Sequence, residues 1–164
     1  MKIGIITDTH DHHENVLKAV EIFNAHKVKY VLHAGDIVSP FAAVAFSRVE
    51  GAEFIAVLGN NEGELVILFE KIAEFGGRIY PDVYKGTIDG KRIFMTHRPS
   101  VIDEMAASGK FDLVIYGHTH KQDIRKVGDC LIINPGESTD WMTDTSCVVV
   151  VDTADMSHEV ISLV

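Results

Sequence analysis

The first half of the chain alternates short, continuous apolar runs with stretches of helical spacing. Ile3-Gly4-Ile5-Ile6, Val28 to Leu32 and Phe54 to Leu58 lack the polar alternation of a half-exposed strand. Each reads as a strand covered on both faces. Between them, Val16, Leu17, Val20, Ile22 and Phe23 approximate a helical repeat that starts near Asp11 or His13. Phe41 to Phe46 reads as a short helix, and Leu65 to Phe75 as a helix ended by Gly76-Gly77. The order βαβαβα predicts parallel strands joined by right-handed crossovers.

The second half changes character. Val83 to Ile88 and Lys91 to Thr96 flank Asp89-Gly90, a hairpin signal, and a helix from Val101 to Ala107 precedes the strand Leu113 to Tyr116. Asp123 to Val127, Leu131 to Ile133, Ser146 to Val151 and Glu159 to Leu163 read as further short strands. A parallel α/β half followed by a β-rich half predicts two sheets packed face to face with helices outside, with one mixed sheet as the alternative. No repeat, low-complexity stretch or composition shift divides the 164 residues, so residues 1–164 read as a single domain.

Composition narrows the function. With 46% hydrophobic and 24% charged residues the chain is globular rather than disordered. A net charge of −9 argues against nucleic acid as the main partner, because phosphate-backbone affinity comes mostly from Lys and Arg. No apolar run approaches the roughly 18 residues of a membrane span, and Met1-Lys2 leads straight into a strand-like run rather than a signal peptide. No membrane partner is therefore expected. Cys130 and Cys147 lie in separate apolar runs without metal spacing and read as reduced core residues of a cytoplasmic protein.

The nine histidines direct attention to the strand ends. The apolar runs are followed by Asp8-Thr9-His10, His33-Ala34-Gly35-Asp36, Gly59-Asn60-Asn61-Glu62, Thr96-His97 and Gly117-His118-Thr119-His120. Open α/β sheets place ligand sites outside the carboxyl ends of their strands. Asp8/His10 and His118/His120 are each two positions apart, and in an extended segment such residues point to the same side. Each pair is thus expected to converge on a cation. Imidazole with carboxylate suits a first-row divalent metal, and the lack of thiolate argues against a structural zinc site. A lone Asp or His at a strand end is ordinarily a cap; five such ends together are not ordinary. His33 reads as a strand residue, His26 and His158 as surface, and His12 and His13 as flanking the site.

These blocks resemble the calcineurin-like metallophosphoesterase superfamily, through Asp8-x-His10, Gly35-Asp36, Gly59-Asn60, a strand-ending His97 and Gly117-His118-x-His120. Chain length and Ile133-Asn134-Pro135-Gly136-Glu137 are similar to the small single-domain bacterial and archaeal phosphodiesterases of that group. The resemblance implies a four-layer αββα sandwich and two divalent metal ions. Asp8, His10 and His120 would hold one ion, Asn60, His97 and His118 the other, and Asp36 would bridge them. Manganese is the first expectation for the metals, with nickel, iron, cobalt or zinc as alternatives.

The implied chemistry is phosphodiester hydrolysis by a hydroxide bridging the dinuclear centre. Two departures bear on it. Asn61 stands where many relatives have His or Cys after Gly-Asn, and Asn cannot act as a general acid, so either His12 supplies the proton or the preferred leaving groups are acidic enough to depart unaided, assisted by the second metal. Thr96-His97-Arg98-Pro99 replaces the Gly-His-Gly or Gly-His-His of many relatives, which makes Arg98 a candidate phosphate partner. The alternatives are a phosphomonoesterase or pyrophosphatase on the same metals, or a non-catalytic protein-binding scaffold. Trp141 and Met142 read as an interface of a homo-oligomer (dimer or tetramer), as core, or as a pocket rim.

Overall fold

The computed structural model describes residues 1–164. Its first sheet contains β1 (Lys2–Ile6), β2 (Tyr30–His33), β3 (Glu53–Val57), β4 (Arg78–Tyr80), β10 (Cys147–Asp152) and β11 (His158–Ser162), in the order β11-β10-β1-β2-β3-β4. The second holds β5 (Val83–Ile88), β6 (Lys91–Thr96), β7 (Leu113–Ile115), β8 (Asp123–Val127) and β9 (Cys130–Asn134), in the order β5-β6-β7-β9-β8. The helices are α1 (His13–His26), α2 (Pro40–Val44), α3 (Leu65–Glu74) and α4 (Ile102–Ala107).

Both sheets are mixed. β1 to β4 run parallel in register, and β10 and β11 close that sheet antiparallel. In the other sheet β6, β7 and β9 are parallel, with β5 and β8 antiparallel at its edges. Alternating side chains divide the core into layers. Ile3, Ile5, Leu32, Ile55, Met95, Ile115 and Ile133 fill the space between the sheets. Ile6, Val31, Phe54 and Val150 face the other way, onto Val16 and Phe23 of α1 and Leu68 and Ile72 of α3. Phe94, Val114 and Ile132 turn outward onto Ile102 and Ala106 of α4. The four-layer αββα sandwich of the sequence reading is the architecture observed.

Local chemistry explains where element boundaries differ from the apolar pattern. Val28 and Lys29 lie outside β2 because Lys27 takes a left-handed conformation (φ 55°) and the Val28 N–H turns back to the Phe23 carbonyl. Pro40 opens α2, Ser39 caps it through the Ala42 N–H, and a 3-10 turn over Ala45–Arg48 follows. β4 has no counterpart in the sequence reading. It is a three-residue edge strand between Gly77 and Pro81, too short to carry a periodic signal.

His33, the last residue of β2, is wholly buried against Phe46 and Phe54. Its Nδ1 accepts the Gly35 N–H, so Nε2 carries the hydrogen donated to Thr9 Oγ1. Burial pushes its pKa down to about 3, so the native state keeps it neutral. Above the ordinary histidine value this contribution to stability is complete, and it is lost as pH falls from 6.5 toward about 3, because only the unfolded chain takes the proton. His10 and His97 have raised values and act in the opposite sense above 6.5, while depressed carboxyls such as Asp36 and Glu137 come into play mainly below about their ordinary values of 3.8 and 4.5. Chelator-treated protein should therefore lose about 1.4 kcal/mol of unfolding free energy per pH unit between pH 6 and 4.5. Urea denaturation across that window checks this, and His33→Asn should flatten the slope.

Candidate metal centre

Asp8, His10, Asp36, Asn60, His97, His118 and His120 all lie past the carboxyl ends of strands, and five of them, Asp8, His10, Asp36, His118 and His120, are on left-handed rather than extended backbone. Beyond β1 and β2 the chains stay paired: the Asp8 N–H donates to Gly35 O (3.0 Å), His10 to Asp36 O (3.1 Å) and Asp11 to Ile37 O (3.3 Å). Along this track Asp8, His10 and Asp36 have φ of 51°, 39° and 58°, and past β7 His118 and His120 have 70° and 60°. This corrects the expectation that Asp8/His10 and His118/His120 converge because extended residues two apart share a side. A left-handed turn at each position aims the side chains instead. Asp and His are among the few residue types that tolerate that conformation, at roughly 1–2 kcal/mol per residue.

Glycines let the backbone loops close in. A Cβ at Gly59 would collide with the backbone and carboxylate of Asp36, and one at Gly117 with Thr7 Oγ1 and Asp8 Oδ2. Glu62 fastens the Asp36 loop to the Gly59 turn, accepting the N–H groups of Ile37 (3.2 Å), Val38 (2.7 Å) and Gly59 (3.0 Å).

Ligand atoms of Asp8, His10, Asp36 and His120 all lie within 4.8 Å of one another. His120 Nε2 is 3.4 Å from Asp8 Oδ1, and His10 Nε2 is 3.5 Å from Asp36 Oδ2. His97 Nε2 extends the group, 3.4 Å from Asp36 Oδ2 and 3.1 Å from Asn60 Oδ1. The His118 ring meets that of His97 edge-on, with centroids 5.1 Å apart. All seven candidate ligands therefore gather at one edge of the sandwich.

Protons do not explain the gathering. Asp8 Oδ2 accepts from Thr7 Oγ1 (2.9 Å) and the His118 N–H (3.0 Å), while Asp8 Oδ1 and His10 Nε2 are buried with no hydrogen-bond partner. His97 Nδ1 is engaged by the Ala34 carbonyl (2.8 Å), so its hydrogen sits there and the Nε2 lone pair faces two further oxygens. His120 repeats the device, Nδ1 donating to Glu137 Oε2 (3.0 Å) and Nε2 facing Asp8. A carboxylate or carbonyl behind an imidazole is the usual way to fix a metal-binding tautomer. The donor set, its orphaned atoms and its orientation fit divalent cations.

The electrostatics show the same demand for positive charge. Asp8, and after it Asp36, raise His10 above the ordinary histidine range although burial opposes them. Burial likewise opposes, and Asp36 then raises, His97. Against the upward push of burial, His97 and both N–H donors of Asn61 hold Asp36 far below the usual carboxylate range.

Asn61 is turned inward, its backbone and side-chain N–H groups donating to the two oxygens of Asp36 at 2.8 Å each. It clamps that carboxylate. His12 caps α1, its Nδ1 accepting the Asn15 N–H (3.3 Å), which leaves the hydrogen of the neutral ring on Nε2. Arg98 is exposed and makes no hydrogen bond or ion pair within the chain. His13 and His158 are exposed and His26 partly so; none joins the cluster. Trp141 and Met142 are 63% and 74% exposed and are not core. Cys130 and Cys147 are free thiols.

Glu137 is the functional residue that sequence reasoning missed. It is fully buried, and besides His120 it accepts the hydroxyls of Thr139 and Thr143 and the N–H groups of Met142 and Thr143. Burial would raise its pKa, but these donors hold it down to about 2. The available signal was an acidic residue past a further strand end, after Asn134-Pro135-Gly136. The largest surface cavity, about 460 Å³, lies at the opposite strand ends, between Ala106, Phe111 and Cys130. Its charged pair, Arg92 and Asp112, is already satisfied internally at 2.7 Å.

The chain matches the family model of the calcineurin-like phosphoesterase superfamily domain over residues 1–156. It is 41% identical over 166 residues to a phosphodiesterase of Methanocaldococcus jannaschii, with 99% of each chain covered. Identity is 32% over 173 residues to a probable metallophosphoesterase of Methanothermobacter thermautotrophicus, covering 98% of this chain and 92% of the relative. Among solved structures, an archaeal phosphodiesterase 41% identical superposes with a TM-score of 0.93 over 99% of both chains. Vacuolar protein sorting 29 from Cryptosporidium parvum, 17% identical, superposes with a TM-score of 0.71 over 98% of this chain and 95% of that one, and shows the fold alone.

Because Glu137 has five donors on two oxygens, an amide there must turn its NH₂ toward at least one of them. Glu137→Gln should weaken Mn²⁺ affinity by about 10- to 100-fold with the fold retained. Titration of metal-free protein followed by the electron paramagnetic resonance of free Mn²⁺, beside circular dichroism, measures both.

Proposed function

Since the chain belongs to the calcineurin-like phosphoesterase superfamily, we propose that it is a phosphodiesterase that works with two divalent cations. In this reading Asp8, His10 and His120 would hold one cation and Asn60, His97 and His118 the other, with Asp36 available to both. The observation that carries it is the pair of buried ligand-type atoms, Asp8 Oδ1 and His10 Nε2, that have no hydrogen-bond partner in the chain. Manganese is the first choice of metal, with nickel, iron, cobalt and zinc compatible with the same donors. Bound cations of this kind supply Lewis acidity toward phosphoryl oxygens and bring water ionisation toward neutral pH.

The chain's own residues do the rest. Asn61 keeps Asp36 ionised and at a fixed angle. Ala34 and Glu137 hold His97 and His120 in the tautomer whose Nε2 lone pair points inward. The two ligand carboxylates, Asp8 and Asp36, would face four positive charges from two divalent cations, so the ligand shell would be positive within a chain of net charge −9. That polarity attracts a phosphodiester anion. Arg98, free of internal partners, is placed directly after His97 to pair with a phosphate oxygen.

His12 is the proton donor in this proposal, because its capping bond leaves the hydrogen on the outward Nε2. A scaffold without catalysis has no use for so complete a ligand set. The two free cysteines suit a reducing cytoplasm, and no helix is long and apolar enough to cross a membrane.

Metal analysis paired with Mn²⁺- and Ni²⁺-reconstituted assays of bis-aryl and mono-aryl phosphates tests the reading. The diester should be the better substrate, and Asp36→Asn should abolish turnover. Faster cleavage of the monoester would assign a phosphomonoesterase on the same residues. His12→Asn, which preserves a good cap, should slow esters with poor leaving groups by about 100-fold and spare acidic ones. A leaving-group dependence identical to that of the wild type would remove His12 from the mechanism.

A further inference from the structure

Beyond the candidate cation ligands, the site has a rim that the phosphodiesterase reading leaves without a task. Resting on that reading, we propose that Trp141, backed by His12, is a stacking wall for a planar aromatic ester group of the substrate. The preferred diesters would then carry an aryl or nucleobase-bearing substituent rather than a simple alkyl one.

Trp141 is the only tryptophan of the chain and stands 63% exposed. Its backbone is nevertheless tied into the site. Its backbone N–H donates to Thr139 Oγ1 (3.4 Å), and the Thr139 hydroxyl donates to the buried Glu137. The next two residues, Met142 and Thr143, give their N–H groups to the same carboxylate. Glu137 thus holds the Trp141 loop with one hand and His120 with the other.

The His12 ring lies 5.7 Å from the indole, tilted by 52°, and is itself pinned by its cap on α1. His12 follows His10 by two residues, and His10 stacks on His120 at 5.1 Å. The Glu137 hydrogen bonds on one hand and the His12 contact on the other thus place the indole beside the candidate cation ligands. An exposed indole whose backbone is tied down and whose ring rests against His12 loses less freedom when a flat ring settles on it than one on a free loop. Stacking is indifferent to the ring's substituents, which suits a class of substrates rather than one compound.

The test compares calorimetric binding of diphenyl phosphate and dimethyl phosphate, equal in charge, to Mn²⁺-loaded protein, and follows bis(p-nitrophenyl) phosphate turnover beside it. Trp141→Ala should weaken diphenyl phosphate by about tenfold and dimethyl phosphate by less than about twofold, and Trp141→Phe should keep most of the difference. Equal weakening of both ligands, or no change in either, would overturn the wall. If wild-type protein fails to turn over bis(p-nitrophenyl) phosphate yet shows the Trp141-dependent preference, the wall stands and the phosphodiesterase reading falls. If it binds neither ligand and turns nothing over, both fall.

Discussion

The structure is organised around lone pairs brought together with too few hydrogens to share. Asp8, His10, Asp36, His97 and His120 approach to within hydrogen-bonding or near-bonding distance, yet the hydrogens of His97 and His120 are committed outward, to Ala34 and Glu137. Burial makes the mutual repulsion of such atoms expensive. Only a rigid frame holds them in place, and two sheets packed through Ile5, Ile55, Met95 and Ile133 provide it.

Strain in the loops is offset by pairing rather than by flexibility. The left-handed residues after β1 are tied strand-fashion to those after β2, and Glu62, Asn61 and His33 bind neighbouring loops from behind. Each of these tying residues is polar, and each serves a backbone group or a carboxylate. Substituting one would leave a buried group without its partner, so their burden is positional even where they never meet a substrate.

Much of this was legible in the residues because the chemistry is concentrated at strand ends, where apolar runs stop abruptly at Asp, His or Asn. The continuous runs of β1 and β3 announced strands buried on both faces, and Asp89-Gly90 announced the hairpin of β5 and β6. What was not legible depended on contacts remote in the chain. Glu137 acquires its meaning only when the loop after β9 folds against His120, 17 residues away. Asn61 reads as a gap in an acid position until its amide is seen on Asp36. The geometry of the Asp8/His10 and His118/His120 pairs was predicted from extended backbone and arises from left-handed turns, because strand periodicity stops where β1 and β7 stop.

The left-handed turns also restrict which amino acids can occupy the site over evolutionary time. At positions 8, 10, 36, 118 and 120 the backbone itself favours Asp, Asn, His or Gly, before any metal is considered. Exchanges within that small alphabet, such as Asp to Asn, are conformationally neutral and electrostatically decisive. A lineage built on these turns can thus discard its charge without disturbing its architecture, one codon at a time, and keep a well-folded body for other employment.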